Sequence, residues 1–386
     1  MENFIFKNPT KLIFGKGQIA QLTKEIPSAK RIMITMGGGS VLKNGVYDQV
    51  KEALKNHHIV EFKGIEPNPK FETLLKAVEL AKSEKIDFLL AVGGGSVIDG
   101  TKFIALAMNY KGADPWEIVI NPKEASVILP IPLAAVLTLP ATGSEMNCGA
   151  VISRLATKEK FAIHNSYNYP NFSILDPEVC FSLPERQVAN GLIDTYVHVM
   201  EQYLTYPSDG MVQDRFNEGV LHTILEIAPK IVKDRKNYQL MANFMLSATM
   251  GLNGFTSMGV PQDWATHMIG HELTALVGLD HGVTLAIIAP YLYDVMRAEK
   301  REKLLQYGER IFDIKEGSEE QRIDKAIEKT KDFFESMGVK CSLSSHGVTK
   351  DNCDTIVKRF TERGVNFGER GTITPYVVKT ILEKAF

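Results

Sequence analysis

Two segments of the chain bring together one carboxylate and several imidazoles, which are side chains that bind catalytic divalent metals. In GLIDTYVHVMEQY, Asp194 and His198 are four residues apart, so on a helix they lie one turn apart on the same face. In WATHMIGHELTALVGLDHG, His267 and His271 have the same spacing, and His281 follows a predicted helix stop. A nitrogen-rich set with one carboxylate suits zinc or ferrous iron better than magnesium or calcium, which prefer oxygen ligands.

The sequence around Asp194 and His198 indicates that their helix face is buried. An isolated aspartate or histidine on a helix is usually a hydrogen-bonded core or surface residue and not a metal ligand. Here both residues lie among apolar and aromatic neighbours between Leu192 and Leu204. Because an unpaired charge is costly in such surroundings, a metal ion is a favourable partner, and the two segments together favour a metal site.

Size and composition predict two domains and a small-molecule partner. At 386 residues the chain is long enough for two domains of ordinary size. Its net charge of −2 gives no basic surplus for nucleic acid. The four cysteines form no Cys-x-x-Cys pair and the start of the chain lacks the features of a signal peptide, which favours the cytoplasm. The most apolar stretch, SVILPIPLAAVLTLP, is short and broken by prolines, so no membrane span is expected.

The first half of the chain alternates short apolar runs with amphipathic helical patterns, which predicts a parallel sheet covered on both faces. RIMITM precedes a Gly-Gly-Gly-Ser turn at 37–40, and IDFLLAV precedes another at 93–96. Such turns let backbone amides approach a phosphate, and the N-terminus of the following helix favours the anion. Neither turn matches Gly-x-Gly-x-x-Gly, so an atypical nucleotide site is predicted. The polar loop in LTLPATGSEMN is a third candidate lining segment.

In the second half, long helical patterns replace the apolar runs. Pro177 and Pro184 mark the change, so we predict an α/β dinucleotide-binding domain at 1–178 and an all-helical metal-binding domain at 179–386. A cofactor held by the first domain would meet the metal in the cleft between the two. The charged helices at 297–331 are expected to present solvated faces, and alternating apolar residues at the start of the chain predict a hairpin.

Taken together, the motifs resemble those of the iron-containing (group III) alcohol dehydrogenases. The resemblance covers essentially the full chain and rests on ATGSEMN, the paired glycine turns, Asp194-x-x-x-His198, and His267-x-x-x-His271 followed by His281-Gly282. The opening FxFxNPTKLIFGKG and the segment NGVYDQV are most similar to the branch of NADPH-dependent butanol dehydrogenases and broad aldehyde reductases.

The resemblance implies that Asp194, His198, His267 and His281 hold the metal and that His271 is a catalytic histidine near the nicotinamide. Spacing alone does not distinguish His267 from His271, because they lie one turn apart on the same helix. In the reaction that the family implies, the metal acts as a Lewis acid on an aldehyde and the nicotinamide supplies hydride. His271 then takes part in delivering the proton, since an imidazole exchanges protons near neutral pH.

The resemblance also implies NADP(H) as the cofactor. Members that prefer NADH tend to carry an acidic residue in the first glycine turn, where it binds ribose hydroxyls and repels a 2′-phosphate. Here that turn has no acid, and Lys43 follows shortly after it. The expected cofactor contacts are Gly37, Gly38, Gly39, Ser40, Gly94, Gly95, Ser96, Asp99, Thr138, Thr142, Asn147 and Lys160.

We therefore expect an NADP-dependent alcohol dehydrogenase that interconverts a primary alcohol and an aldehyde, such as butanol and butanal, and forms a homodimer as relatives commonly do. The alternatives are a polyol dehydrogenase or dehydroquinate-synthase-like lyase of related fold, and a structural metalloprotein that binds no nucleotide. A metal hydrolase would need Glu201 or Glu272 as a general base, although helical glutamates are more commonly at the surface. Gly270 stands where the branch is expected to carry a larger residue.

Overall fold

A computed structural model describes residues 1–386, which divide into two compact units. The unit that we call the sheet unit comprises Lys7–Pro184 and Arg235–Thr249. The helical unit comprises Met1–Phe6, Glu185–Asp234 and Met250–Phe386. The division of the chain into domains at 178/179 stays a prediction.

The sheet unit contains a six-stranded parallel sheet and a separate hairpin. The strands are β1 (Lys11–Phe14), β2 (Arg31–Met36), β3 (His58–Phe62), β4 (Phe88–Gly93), β5 (Leu133–Leu137), β6 (Gly149–Arg154), β7 (Glu159–His164) and β8 (Phe172–Leu175). The sheet order is β1-β8-β5-β4-β2-β3, and β6 pairs with β7 in the antiparallel hairpin. All residues of the central strands β4 and β5 are buried, which explains why their sequences are continuous apolar runs.

The sheet unit also contains helices. They are α1 (Leu22–Glu25), α2 (Val46–Ala53), α3 (Phe71–Ser83), α4 (Gly95–Ala107), α5 (Glu117–Ile120), α6 (Pro122–Val127) and most of α9 (Tyr238–Gly251). Helix α3 is amphipathic and buries one apolar face. Helix α4 begins within the second glycine turn and is buried along nearly its whole length, so its polar residues need partners inside the protein.

The helical unit contains no strand after β8, as the sequence predicts. Its helices are α7 (Glu185–Tyr203), α8 (Met211–Lys233), α10 (Ala265–Val277), α11 (His281–Val295), α12 (Arg301–Phe312), α13 (Glu319–Ser336), α14 (Lys350–Arg363) and α15 (Pro375–Lys384). Every residue from Gly191 to Tyr203 in α7 is buried. The predicted fold class, an α/β part with a parallel sheet followed by a helical part, is confirmed. None of the helices combines the length and apolar content needed to cross a membrane.

Two local predictions are wrong. Residues 1–10 form no strand, and β1 pairs in parallel with β8, so the N-terminal hairpin is absent. The first residues instead bind the helical unit, where the Glu2 amide donates to the Gly259 carbonyl. The charged helices at 297–331 are not solvated throughout, since Lys300 and Lys303 are 2% and 5% exposed. Each is stabilised in the interior by a carboxylate partner.

Candidate active site

Helix α7 presents Asp194 and His198 on one buried face. The two side chains are one turn apart, as their spacing predicts, and are 4% and 5% exposed. Asp194 Oδ1 lies 3.2 Å from His198 Nδ1. Glu201, one further turn along the same face, is also buried. Three ionisable groups on one buried face of a helix need further partners from neighbouring elements.

The remaining histidines come from α10 and from the start of α11. Helix α10 begins directly after Trp264, whose backbone is left-handed (φ 66°), and ends at Gly278, also left-handed (φ 79°). His281 is the first residue of α11. The following Gly282 lets α11 approach α7, because a Cβ there would lie 2.6 Å from the Asn190 carbonyl oxygen. In this His-Gly pair, the glycine is therefore required for helix packing, whereas the histidine is the residue with a possible chemical role.

Gly270 has a similar packing role between α10 and α11. A Cβ at this position would lie 2.8 Å from Thr284 Oγ1 and 3.4 Å from Leu285 Cδ2. The glycine thus permits the close approach of the helix that carries His267 to the helix that begins with His281. Its cost in helix stability is offset by this packing.

The donor atoms of Asp194, His267 and His281 lie within 4.8 Å of one another. Asp194 Oδ1 is 3.8 Å from His267 Nε2 and 3.7 Å from His281 Nε2. His198 approaches the same oxygen through Nδ1 but lies outside that closest group of three. Ligand atoms around a tetrahedral ion with bonds of about 2.0–2.1 Å are about 3.3–3.4 Å apart, so the arrangement fits one ion after a small contraction.

His267 is oriented by Glu201. Its Nδ1 lies 3.0 Å from Glu201 Oε1, and the same oxygen accepts the His267 backbone amide at 3.0 Å. With Nδ1 donating to the carboxylate, Nε2 carries the lone pair and faces Asp194. His267 Nε2 is buried and has no hydrogen-bond partner, as a ligand nitrogen requires. His271 is 5% exposed, and its ring centroid is 6.5 Å from that of His267 and 5.3 Å from that of His281.

The surroundings set the charge of the rings. Burial lowers the pKa of His198 to about 4, although the Asp194 carboxylate opposes this effect. His198 is therefore neutral at pH 7, with a lone pair available for a cation. Burial also acts to lower the pKa of His267, but the nearby Asp194 carboxylate and the hydrogen bond to Glu201 outweigh it and raise the pKa. The His267 ring lies where positive charge is favoured.

Trp264 forms an apolar wall beside the histidines. Its ring centroid is 5.2 Å from that of His267 and 6.0 Å from that of His198, in edge-on contacts. Its indole nitrogen donates to Gln262 Oε1 at 2.9 Å. Two other apolar residues of this region contribute elsewhere, since Leu273 is a core residue and Phe255 packs on Phe216.

In the sheet unit, the second glycine turn and the 138–147 loop are packed against each other. A Cβ at Gly94 would lie 2.9 Å from Leu139 Cβ, and one at Gly95 would clash with Thr142. The Thr138 amide donates to the Gly93 carbonyl at 3.0 Å. These glycines are thus required by close packing as well as by access to a phosphate.

Asp99 and Lys102 of α4 organise this loop. Asp99 Oδ1 accepts the Ser144 hydroxyl at 2.7 Å, and Oδ2 accepts the Val151 amide at 2.9 Å. Lys102 Nζ donates to the Asn147 carbonyl at 2.7 Å and to Asn147 Oδ1 at 2.9 Å. Burial lowers the pKa of Lys102 to about 8 and raises that of Asp99. Of the two, only Asp99 is a predicted cofactor contact, and both of its oxygens already accept hydrogen bonds within the protein.

Lys160 is connected to the N-terminus of α4 through Asn68. Lys160 Nζ donates to Asn68 Oδ1 at 2.9 Å, and the Asn68 amide donates to Ser96 Oγ at 3.2 Å. Asn68 has a left-handed backbone (φ 54°), which asparagine tolerates better than most residues. Of the three, Lys160 and Ser96 are predicted cofactor contacts and Asn68 is not, because its only sequence signal is an asparagine before proline in EPNPKF.

The first glycine turn lines a cavity of about 260 Å³. Gly37, Gly38 and Gly39 contribute its backbone wall, and Lys63 and Gly64 close it from the end of β3. Ser40 begins a short 3₁₀ segment just beyond. Lys43 is exposed and is not among the lining residues.

The family follows from comparison with known proteins. A model of the iron-containing alcohol dehydrogenases matches residues 9–177, and a model of the C-terminal part of the Fe-containing alcohol dehydrogenase family matches residues 188–386. The chain belongs to the iron-containing alcohol dehydrogenase family. The family that the sequence motifs resemble is therefore confirmed, and with it the prediction of an enzyme of the oxidoreductase class.

Relatives in this family differ in their cofactor. The chain is 52% identical to NADPH-dependent aldehyde reductase YqhD of Escherichia coli, with all of both chains covered. It is 40% identical to the probable NADH-dependent butanol dehydrogenase 1 of Bacillus subtilis, with 99% of each chain covered. The crystal structure of E. coli YqhD superimposes with a TM-score of 0.98, covering 100% of this chain and 99% of the other. Membership of the family therefore does not by itself determine the choice between NADPH and NADH.

The two carboxylates that a hydrolase would need are already engaged in this dehydrogenase. Glu201 is 4% exposed and accepts two hydrogen bonds from His267. Glu272 is 3% exposed and forms ion pairs with Arg359, at 2.9 Å, and Arg363. The interpretation of both as surface glutamates is wrong. For Glu201 the sequence contains a signal of burial, since this residue falls seven residues after Asp194 and so on the same helix face.

Replacing Glu201 by glutamine is expected to lower the affinity for the metal by about 10- to 100-fold. The amide retains the size of the side chain but is a weaker acceptor, so the ring of His267, a predicted ligand, becomes less basic and less firmly oriented. Competition with a chromophoric chelator measures the affinity. Glu226→Gln is the matched control, because Glu226 lies on an exposed helix surface. Equal affinities of the two variants would contradict the orienting role.

Proposed function

We propose that this chain is a metal-dependent NADPH:aldehyde oxidoreductase that converts an aldehyde such as butanal to the primary alcohol. The observation that carries the proposal is the group formed by the buried Asp194 and His267 with the partly exposed His281, and His198 beside it. One carboxylate and three imidazoles suit zinc or ferrous iron. The similarity to an NADPH-dependent aldehyde reductase over the full chain supports the substrate class.

In this proposal Asp194, His198, His267 and His281 hold the divalent metal, and Glu201 fixes the ring of His267. When bound, such an ion acts as a Lewis acid that polarises a carbonyl group. Trp264 supplies an apolar surface that excludes water beside the ligands. His271 takes part in the delivery of a proton, for which its buried position close to the His281 ring is suitable.

The residues of the sheet unit are proposed to hold NADP(H). The glycine turns offer backbone amides to phosphates, and the second one leads directly into α4. Ser96, Asn147, Thr138, Thr142 and Lys160 lie around that turn or in the loop packed on it. Asp99 is proposed to act by holding the loop, since both of its oxygens are engaged there.

We also propose a cytoplasmic homodimer that acts on small molecules and binds neither nucleic acid nor membrane. The net charge of −2 gives no basic surplus for a polyanion. Apolar side chains near the N-terminus support self-association, because Phe4, Ile5 and Phe6 are 50%, 98% and 43% exposed. Sedimentation of the purified protein tests the dimer.

The function is tested by following NADPH consumption with butanal. The purified protein is stripped of metal, and zinc or ferrous iron is restored in parallel samples, with NADH as the cofactor control. The expected result is no turnover without metal, restored turnover with one ion, and a higher kcat/KM for NADPH than for NADH. Restored metal and NADPH binding without turnover of any short-chain aldehyde would disprove the substrate class. Absence of NADPH binding would instead favour the alternative that the chain is a structural metalloprotein.

A further inference from the structure

The cavity beside the first glycine turn contains one charged lining residue, Lys63. We propose that Lys63 is the residue that binds the 2′-phosphate of NADPH and so determines the preference for NADPH over NADH. This inference rests on the proposed function, because it assigns a role within the same nucleotide site. It differs from the expectation based on Lys43, which is exposed and lies outside the cavity.

The position of the cavity in the sheet suits the adenosine end of a dinucleotide. Strand β2 lies between β4 and β3, and all three are parallel. Ligands of such sheets bind outside the carboxyl ends of the strands. A dinucleotide with its pyrophosphate at the turn between β4 and α4 therefore extends its adenosine over the end of β2 toward β3. Lys63 and Gly64, directly after β3, form the far wall there.

Backbone hydrogen bonds hold Lys63 next to the glycine turn. The Gly64 amide donates to the Met36 carbonyl at 3.1 Å and to the Gly37 carbonyl at 3.2 Å. Gly64 has a left-handed backbone (φ 97°), which lets the chain turn back toward β2 at this point. A Cβ at Gly38 would meet nothing within 4 Å, so the backbone of the turn is open to a ligand. A fixed backbone, a cation and open space thus occur at one place.

The ammonium group of Lys63 is available for a phosphate. Its side chain is 49% exposed, and Nζ lies 2.8 Å from Glu61 Oε2. Glu61 also accepts the Tyr47 hydroxyl and has Lys51 Nζ 3.6 Å from its other oxygen, so it retains partners when Lys63 turns away. These hydrogen bonds lower the pKa of Glu61, which therefore stays ionised. A phosphate monoester carries about −1.5 to −2 charges at pH 7 and competes well with one carboxylate for the ammonium.

The alternative is that the pocket takes a ribose with free hydroxyls. Glu61 is the acidic group that would recognise them, as acids do in NADH enzymes. Lys63 forms an ion pair with Glu61 and, unlike Glu61, lines the cavity, where its positive charge favours the phosphorylated ribose.

The test compares Lys63→Ala, Lys63→Arg and the control Lys43→Ala by kcat/KM for NADPH and NADH with one aldehyde. The expected result for Lys63→Ala is a loss of about 10- to 100-fold with NADPH and little change with NADH, because a hydrogen bond between charged groups is lost only with NADPH. Lys63→Arg should retain most of the preference, and Lys43→Ala should leave it within about twofold, as expected for an exposed lysine away from the phosphate. Equal losses with both cofactors, or a loss of preference in Lys43→Ala alone, would overturn the assignment.

Two further measurements separate phosphate binding from other causes. The double variant Lys63→Ala/Glu61→Gln should remain poor with NADPH, whereas full recovery would mean that Lys63 only masks Glu61. Calorimetry with adenosine 2′,5′-bisphosphate and adenosine 5′-monophosphate reports binding without catalysis. If wild-type protein turns over no aldehyde but prefers the bisphosphate through Lys63, the proposed function fails and this inference stands. If NADPH turnover is normal and Lys63→Ala changes neither measurement, only this inference fails.

Discussion

Replacing Asp194 by asparagine is expected to lower kcat/KM for aldehyde reduction by about 10³-fold or more, a loss of about 4 kcal/mol of transition-state stabilisation. Asp194 Oδ1 is the atom on which the three imidazoles converge, at 3.2 to 3.8 Å. Asparagine keeps the shape but leaves the site without a negatively charged ligand, since the other three proposed ligands are imidazoles. The site then binds a dication weakly, and activity falls with metal content.

The measurement pairs steady-state rates with metal content by elemental analysis. Asp209→Asn is the matched control, because Asp209 is exposed and its left-handed backbone (φ 55°) suits asparagine. The control should keep wild-type metal content and activity. An Asp194→Asn protein that retains one equivalent of metal and activity within tenfold of wild type would exclude Asp194 as an essential ligand.

The sequence predicts those parts of the site that depend on local spacing. Asp194 and His198 are one turn apart on a helix, so their common face follows from the helical repeat. The positions of the two glycine turns can also be predicted, because in each case glycines follow the apolar run that forms a strand, β2 or β4. Spacing does not show whether His267 or His271 is the ligand, and only the family resemblance favours His267. The structure adds a physical reason, because Glu201 orients His267 toward Asp194.

The residues that sequence reasoning missed have partners far away in the chain. Glu201 is hydrogen-bonded to His267, which lies 66 residues later in the chain, and Lys102 is hydrogen-bonded to Asn147, which lies 45 residues later. Lys63 lines a cavity with a turn that precedes it by more than 20 residues. A charged residue carries no local signal of such a partner, and its most frequent place is the surface. Only the packing of the elements shows which charged residues are buried.

Lys300 is a further charged residue whose burial depends on partners that are distant in the chain. Its ammonium group is 2.8 Å from Asp263 Oδ2, 2.9 Å from Glu369 Oε2 and 2.9 Å from the Leu204 carbonyl. Burial acts to lower the pKa of Lys300, but the two carboxylates outweigh it and raise the pKa. Because the pKa is raised on folding, this contribution to stability is complete at neutral pH and is lost only as the pH rises above the ordinary lysine range.

Replacing Lys300 by methionine is expected to lower the free energy of unfolding by about 3–5 kcal/mol, because two carboxylates stay buried without their cation. The effect should also reach the metal site. Asp263 accepts the Ala265 amide at 2.9 Å at the start of α10, and its own amide donates to the Glu201 carbonyl at 2.8 Å. Displacement of Asp263 therefore disturbs both His267 and the carboxylate that orients it.

Arg301→Met is the matched control in the adjacent position. Arg301 is 38% exposed and pairs with Glu319 and Glu320 at the surface, so its loss should cost about 0–1 kcal/mol. Urea unfolding of the metal-free proteins measures stability without a contribution from bound metal, and chelator competition on the folded proteins then measures metal affinity. Similar unfolding free energies for the two variants would mean that the buried ion pairs contribute no more than the exposed ones. A destabilised Lys300→Met protein with unchanged metal affinity would limit the role of this network to stability, because α10 would then hold His267 in place without it.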